Sequence, residues 1–112
     1  MITGAHSILY SSDTKADVNF FKNVLKFTNV DVGHGWLIFG LPPSEIAIHP
    51  AAENGIYEFY LLCDDINAFI KEMADNEISC SPVETQRWGN ITHLTLPGGG
   101  KLGVYEPKHA RP

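Results

Sequence analysis

The chain of 112 residues contains one sequence pattern twice. HSILYSSDTKADVNFF, residues 6–21, aligns with EFYLLCDDINAFIKEM, residues 58–73, at a constant offset of 52. Each segment has an apolar stretch typical of a strand, then a short acidic corner, then a helical pattern. A module of this size cannot easily bury its sheet alone, whereas two copies packed together can share a core. The repeat therefore predicts a fold built from two related modules.

Both helices have a recognisable start in the sequence. Asp13 and Asp65 are predicted to cap the helices, because a carboxylate at this position accepts backbone N–H bonds and meets the positive end of the helix dipole. Apolar residues then recur at spacings of three and four, which predicts a buried face on each helix. These residues are Val18, Phe21 and Leu25 in the first helix, and Ile66, Phe69, Ile70 and Met73 in the second.

The repeat continues after the helices. WLIFGLPPSEIAIHP, residues 36–50, aligns with ITHLTLPGGGKLGVYE, residues 91–106, if one residue is inserted in the turn. Each half therefore ends in strand–turn–strand, and an earlier strand is predicted near residues 27–32 and 79–84. The resulting prediction is a single α+β domain over residues 1–112, with module one at about 1–53 and module two at about 54–112. Two βαβββ modules would form a curved, mostly antiparallel, cup-shaped sheet with the helices outside.

The glycines of LPGGGKLGVYEP, residues 96–107, could suggest a phosphate loop. Such a loop lies between a strand and a helix, whose N-terminus faces the anion. Here the glycines precede an alternating, strand-like stretch, and the equivalent position in module one has PPSE. A hairpin turn is therefore predicted.

Composition and charge exclude several function classes. The formal net charge is −5 and the eight Lys and Arg residues form no basic run, which argues against a nucleic-acid surface. No apolar run approaches the length of a membrane span, and the N-terminal residues do not resemble a signal peptide. Cys63 and Cys80 are too few for a disulfide framework and fit no common zinc spacing. We therefore expect a cytoplasmic protein with reduced thiols and no membrane partner.

The paired βαβββ pattern, together with HSILY, FFKNVLKF, YEFYLLCDDINAFI, RWGN and LPGGGKLGVYEP, resembles the vicinal oxygen chelate superfamily. This group includes glyoxalase I, extradiol dioxygenases and bleomycin-resistance proteins. The resemblance covers nearly the whole chain and is strongest to small glyoxalase-like members. It implies a small-molecule ligand in the cup of the sheet, and a homodimer.

The resemblance also assigns positions for a divalent metal such as Zn, Fe, Ni or Mn. The first-strand positions fall on His6 and Glu58, and the last-strand positions fall on Ala47 and Gly103, which have no coordinating side chain. Side chains two apart share a strand face, so His49 lies on the same face as Ala47. The predicted metal set is therefore His6, His49 and Glu58, two nitrogens and a carboxylate. The same residues could instead be hydrogen-bonded or solvated polar groups.

Aromatic residues are the candidate substrate contacts. Tyr60 shares a face with Glu58, and Tyr105 shares a face with Gly103. Trp36 and Trp88 could line a pocket for a planar ligand, or could pack in the core or at a dimer interface.

Three functional hypotheses follow. The first is a metal-dependent lyase or dioxygenase, in which the metal acts as a Lewis acid. The second is a metal-free binding protein of the bleomycin-resistance type, to which the acidic charge and the tryptophans point. The third is a metal-free enzyme in which His6 and Glu58 form an acid/base pair.

Overall fold

The computed structural model describes residues 6–110 and Pro112. The described residues form an α+β fold, as predicted, with a two-stranded sheet in the order β1-β2 and a four-stranded sheet in the order β3-β6-β5-β4. In chain order the elements are α1 (Thr14–Asn23), β1 (Asn29–Asp31), β2 (Leu37–Phe39), β3 (Tyr60–Leu62), α2 (Ile66–Asp75), β4 (Glu84–Thr85), β5 (Gly89–Thr95) and β6 (Lys101–Pro107).

The two helices confirm the repeat. Each has ten residues, and their bounds differ by the same offset of 52. The Asp13 carboxylate accepts a hydrogen bond from the Ala16 N–H at 3.2 Å. The Asp65 carboxylate accepts one from the Ala68 N–H at 3.0 Å. Both caps therefore satisfy backbone donors that the first helical turn leaves without partners.

Module two forms the complete βαβββ unit. Strands β3 and β6 pair in parallel, with Tyr60 opposite Gly103, and β5 and β6 form an antiparallel hairpin. The predicted strand near 79–84 appears as a bridge between Cys80 and Leu94, followed by β4.

One face of the four-stranded sheet forms the core. Leu94 and Val104 are fully buried on this face. Helix α2 lies against β5 and β6, and Phe20 of α1 joins the same cluster. The cluster consists of Phe20, Ile66, Met73, Leu94, Leu96, Leu102 and Val104. Because side chains alternate along a strand, the opposite face carries Tyr60, His93, Gly103 and Tyr105. We call this side the open face.

The glycine stretch makes the β5–β6 turn, as predicted. The Gly99 N–H donates to the Leu96 carbonyl at 2.8 Å, and Gly99 has φ +98°, a conformation that favours glycine. The buried Asp17 of α1 accepts hydrogen bonds from the Gly98 N–H at 2.8 Å and from the Ser11 hydroxyl at 2.6 Å. The turn is therefore fastened to helix α1.

Module one is smaller than predicted. Its described elements are α1 and the β1–β2 hairpin, and the rings of Phe21 and Phe39 join them at 5.6 Å. Strand β1 falls within the predicted range 27–32, and Gly33, His34 and Gly35 make the turn with positive φ.

Two predicted strands do not form. Within the described residues, segments 6–10 and 41–50 belong to no sheet, and the molecule has two separate sheets where one cup was expected. Ile8, Tyr10, Ile46 and Ile48 are 67–92% exposed. A strand needs both a ladder partner and an apolar surface to pack on, and the other described residues offer these segments neither. Among the described residues, neither helix has the length and apolar character needed to cross a membrane.

Candidate functional site

The open face is built around Gly103. Tyr60 and Gly103 are partners across β3 and β6, and His93 is the partner of Gly103 on β5. The ring of Tyr60 lies directly over Gly103: a Cβ added there would meet Tyr60 Cδ1 at 2.3 Å and Cε1 at 2.4 Å. Any side chain at residue 103 would therefore have to displace the ring.

Four more aromatic rings join Tyr60, and Tyr105 lies at their centre. The ring centroid of Tyr105 is 5.8 Å from that of Tyr60 and 5.1 Å from that of Trp88, both edge-to-face. His109 lies 6.2 Å from Tyr105, and His93 lies 6.1 Å from Tyr60. These distances are typical of favourable aromatic pairs. The five rings form what we call the aromatic cluster.

A second glycine makes room for the second tyrosine. A Cβ at Gly89 would meet Tyr105 Cδ2 at 2.9 Å. Tyr60 and Tyr105 thus each lie against a glycine backbone, which orients both rings across the sheet.

A carboxylate from module one contacts the aromatic cluster. The Tyr105 hydroxyl donates to Glu45 Oε2 at 3.3 Å, and His109 Nε2 lies 3.5 Å from the same oxygen. His109 Nε2 also lies 3.3 Å from the Tyr105 hydroxyl. Glu45 is the more buried partner of the ion pair, with a side chain 19% exposed. The open face therefore presents aromatic surface beside a fixed negative charge.

The protonation of Tyr60 favours its use as a donor. Burial raises the pKa of Tyr60, and the nearby Glu58 carboxylate raises it further. Its hydroxyl stays protonated at neutral pH and can donate a hydrogen bond to a ligand.

A recess of about 520 Å³ lies elsewhere, between the segment before α1 and the glycine turn. Its most buried polar lining group is Asp17, whose two carboxylate oxygens accept the hydrogen bonds described above. Those bonds give Asp17 a structural role, so the recess is a weaker candidate site than the open face.

Comparison with solved structures identifies the fold. The chain is similar to the antibiotic-binding protein TnmS3 from Streptomyces sp. CB03234, with a TM-score of 0.66 and 19% identity over 96% of this chain and 100% of that chain. A lactoylglutathione lyase from Agrobacterium tumefaciens gives a TM-score of 0.63 and 18% identity over 93% and 92% of the two chains.

A glyoxalase/bleomycin resistance protein/dioxygenase superfamily member from Sphaerobacter thermophilus gives a TM-score of 0.62 and 22% identity over 94% and 98% of the two chains. The chain has the glyoxalase/bleomycin resistance protein/dioxygenase fold. No protein-family model and no curated protein sequence matches it. The predicted fold is confirmed, and the glyoxalase-type fold is common to neighbours described as an enzyme and as a binding protein.

The residues present do not fit the metal that this glyoxalase-type fold implies. Gly103, one of the four expected positions, lies under the Tyr60 ring, where a carboxylate side chain has no room. His6, His49 and Glu58 are all exposed. Among the described residues, no three His, Cys, Asp or Glu side chains are grouped closely enough to hold a metal ion.

The structure places the predicted aromatic residues in two regions. Tyr60, Trp88 and Tyr105 belong to the aromatic cluster. Trp36 is 74% exposed beside the β1–β2 turn, where its backbone N–H donates to the Gly33 carbonyl. A ligand contact by Trp36 stays a prediction.

Sequence reasoning missed three residues of this site: Glu45, His93 and His109. Glu45 shares strand parity with Ala47, which was a usable signal. His93 required the β5–β6 register, which sets it opposite Gly103. His109 follows the last strand, and no pattern marks it.

Proposed function

We propose that this protein binds a small, planar, basic molecule on the open face, without a metal ion. The observation that carries this proposal is the convergence of Tyr60, Trp88 and Tyr105 beside the Glu45 carboxylate. Flat aromatic rings bury a planar ligand, and a partly buried carboxylate favours a cation over an anion. The net charge of −5 favours the same ligand class. The fold similarity to an antibiotic-binding protein supports a binding role.

Tryptophan fluorescence can test this proposal, because the chain has only two tryptophans. The Trp36→Phe variant leaves Trp88 as a single reporter in the aromatic cluster. The Trp88→Phe variant leaves Trp36 as the matched control. We expect the planar cationic dye proflavine to quench Trp88 saturably and to leave Trp36 unchanged, and a planar sulfonate dye to bind more weakly. If neither reporter responds to either dye, the proposal fails.

Substitution of the central ring provides the second test. Tyr105→Leu removes the ring that contacts three others, and aromatic contacts of this kind contribute about 0.5–1.5 kcal/mol each. Proflavine loses its own contact with this ring, so its affinity should fall about two- to twelvefold. Glu45→Gln should weaken the binding of proflavine relative to that of a neutral planar compound, because only proflavine loses an ion pair.

We also propose a homodimer in which the second copy covers segments 6–10 and 41–50 of module one, which belong to no sheet. Ile46 and Ile48 are 84% and 92% exposed on a segment whose counterpart in module two, β6, is paired on both edges. An equivalent partner from a second copy would complete the sheet and bury these side chains. The free thiols Cys63 and Cys80 support the further proposal of a cytoplasmic location.

Light scattering after size-exclusion chromatography tests the dimer. The chain mass is 12.4 kDa, so a dimer would have twice this mass. Ile46→Lys with Ile48→Lys should yield a monomer, because four charges would enter the interface. Ala74→Lys, at an exposed position of α2 outside this segment, is the control and should keep the mass of the unmodified protein. A monomer for the unmodified protein would contradict the proposal.

A further inference from the structure

The tail that follows β6, residues 108–110, bends back onto the open face. The Lys108 N–H donates to the Trp88 carbonyl at 2.8 Å, and the Lys108 ammonium donates to the Gln86 carbonyl at 3.2 Å. These two bonds turn the chain so that the next residue, His109, faces Tyr105 and Glu45. The position of His109 is therefore set by its neighbour.

A protonated His109 ring can satisfy the polar groups around it. Nδ1 lies 2.9 Å from the Ala110 carbonyl, which can only accept, so this contact requires a proton on Nδ1. The Tyr105 hydroxyl, which donates to Glu45, lies 3.3 Å from Nε2 and can accept from it. In the imidazolium form the charge faces the Glu45 carboxylate at 3.5 Å.

The surroundings of His109 have the chemistry proposed for the ligand. A planar heteroaromatic ring lies beside the central tyrosine, and in its protonated form it makes an ion pair with Glu45. The side chain of His109 is still 37% exposed, and Lys108 alone separates it along the chain from the end of β6. Such a contact is weak and can open without unfolding the domain.

We propose that His109 occupies the position of a ligand's basic nitrogen, so that the tail is an intramolecular competitor for the open face. The recognised group is then a protonated aromatic nitrogen with an N–H that donates to Glu45. The ligand must displace His109, and its apparent affinity is reduced by the fraction of molecules with the tail bound. This inference rests on the proposed binding function, since it assigns the ligand group and the regulation of that same site.

Proflavine titrations of three variants test the competition. His109→Ala removes the competing ring, and deletion of residues 109–112 removes the tail beyond Lys108. Both should tighten proflavine binding by about threefold, the size expected when one exposed ion pair is lost. Lys71→Ala keeps the tail and removes an exposed cation from α2, which packs on the other face of the sheet, so its affinity should match that of the unmodified protein within about 1.5-fold. Urea unfolding midpoints confirm that the variants are folded.

The outcomes separate the inference from the function on which it depends. Equal proflavine affinity for the unmodified protein and both tail variants would overturn the inference and leave the binding function intact. No binding by any of the proteins would overturn both. An equal gain in affinity in Lys71→Ala would also contradict it, because the gain would then follow from the loss of any positive charge.

Nuclear magnetic resonance gives an independent readout of the same event. The ring Cε1–H signal of His109 should move towards the position of a free histidine as proflavine saturates the protein. It should move in the same direction in ligand-free Glu45→Gln, which loses the ion pair. A His109 signal that does not change on saturation with proflavine would overturn the competition.

Discussion

A methyl group at residue 103 should destabilise this protein through Tyr60 alone. In Gly103→Ala the new Cβ would lie 2.3 Å from Tyr60 Cδ1, whereas ordinary contact begins at 3.4 Å. The ring must therefore retreat by about 1.1 Å, the difference between these distances. Overpacking of this kind costs about 1–3 kcal/mol. Replacing glycine in a strand recovers about 0.5–1 kcal/mol, so we expect a net loss of about 0–2.5 kcal/mol in the free energy of unfolding, with the centre of this range at about 1 kcal/mol.

The same substitution should be harmless once the ring is gone. In Tyr60→Ala, residue 103 has open space above it, and Gly103→Ala should be neutral or stabilising by up to about 1 kcal/mol. The double-mutant cycle should therefore give a coupling energy of about 1–3 kcal/mol between the two positions. Gly100→Ala is the matched control, because its nearest atom, Leu96 Cδ1, is 3.9 Å from the added Cβ.

Urea unfolding, followed by circular dichroism, measures all four corners of the cycle. The midpoints should shift without a change in the dependence on urea concentration, since the surface exposed on unfolding is the same. An equal cost of Gly103→Ala with and without the Tyr60 ring would refute the reasoning.

Three further predictions concern other parts of the fold. Asp17→Ala should lower the free energy of unfolding, measured in urea, by about 1–3 kcal/mol, because it leaves the Gly98 N–H without its buried acceptor. An unchanged urea midpoint would contradict a stabilising link between α1 and the turn. Asp13→Ala and Asp65→Ala should each cost about 1 kcal/mol, and the Asn variants of both, which retain a cap, should cost less. Burial, the largest cause, raises the pKa of Cys63 from 9.0 to about 11. As pH rises from about 9 to 11, the unfolded chain loses the thiol proton while the folded protein keeps it, so the free energy of unfolding should fall over this range. Urea midpoints of Cys63→Ser should show a smaller decrease over this range, and an equal decrease would contradict the assignment.

The elements that could be predicted from the sequence are those whose signals are local. Asp13 and Asp65 mark helix starts within one turn of the residues they bond. The turn at residues 97–100 depends on glycines beside the two strands that it joins. By contrast, whether residues 46–49 form a strand depends on a partner strand, which the described part of the chain does not supply. Residue pattern predicts a segment's preference for a strand but cannot provide its partner.

The candidate site could be predicted only in part, because it depends on register. Strand parity correctly places Tyr60 and Tyr105 on one face with Gly103. It does not reveal that the Tyr60 ring fills the space above the glycine, which requires β3 and β6 to pair in parallel with these residues opposite. Glu45 and His109 reach Tyr105 from sequence distances of 60 and four residues, and no periodicity connects them.

The pairing of Tyr60 with Gly103 means that this position can hold an aromatic ring or a metal-binding carboxylate, but not both. A carboxylate at residue 103 and a ring lying across that residue compete for the same volume, so one strand pair cannot supply both. Glycine at residue 103 therefore has two effects. It provides no coordinating side chain, and it leaves the space in which the Tyr60 ring lies. Tyr105 over Gly89 repeats the arrangement one strand away. Restoring the carboxylate with Gly103→Glu should accordingly reduce stability and proflavine affinity together, and should give no increase in melting temperature with zinc, nickel or manganese. An increase in melting temperature with any of these ions would mean that the Tyr60 ring moves aside for the introduced glutamate side chain. The aromatic cluster would then not be a fixed feature of the site.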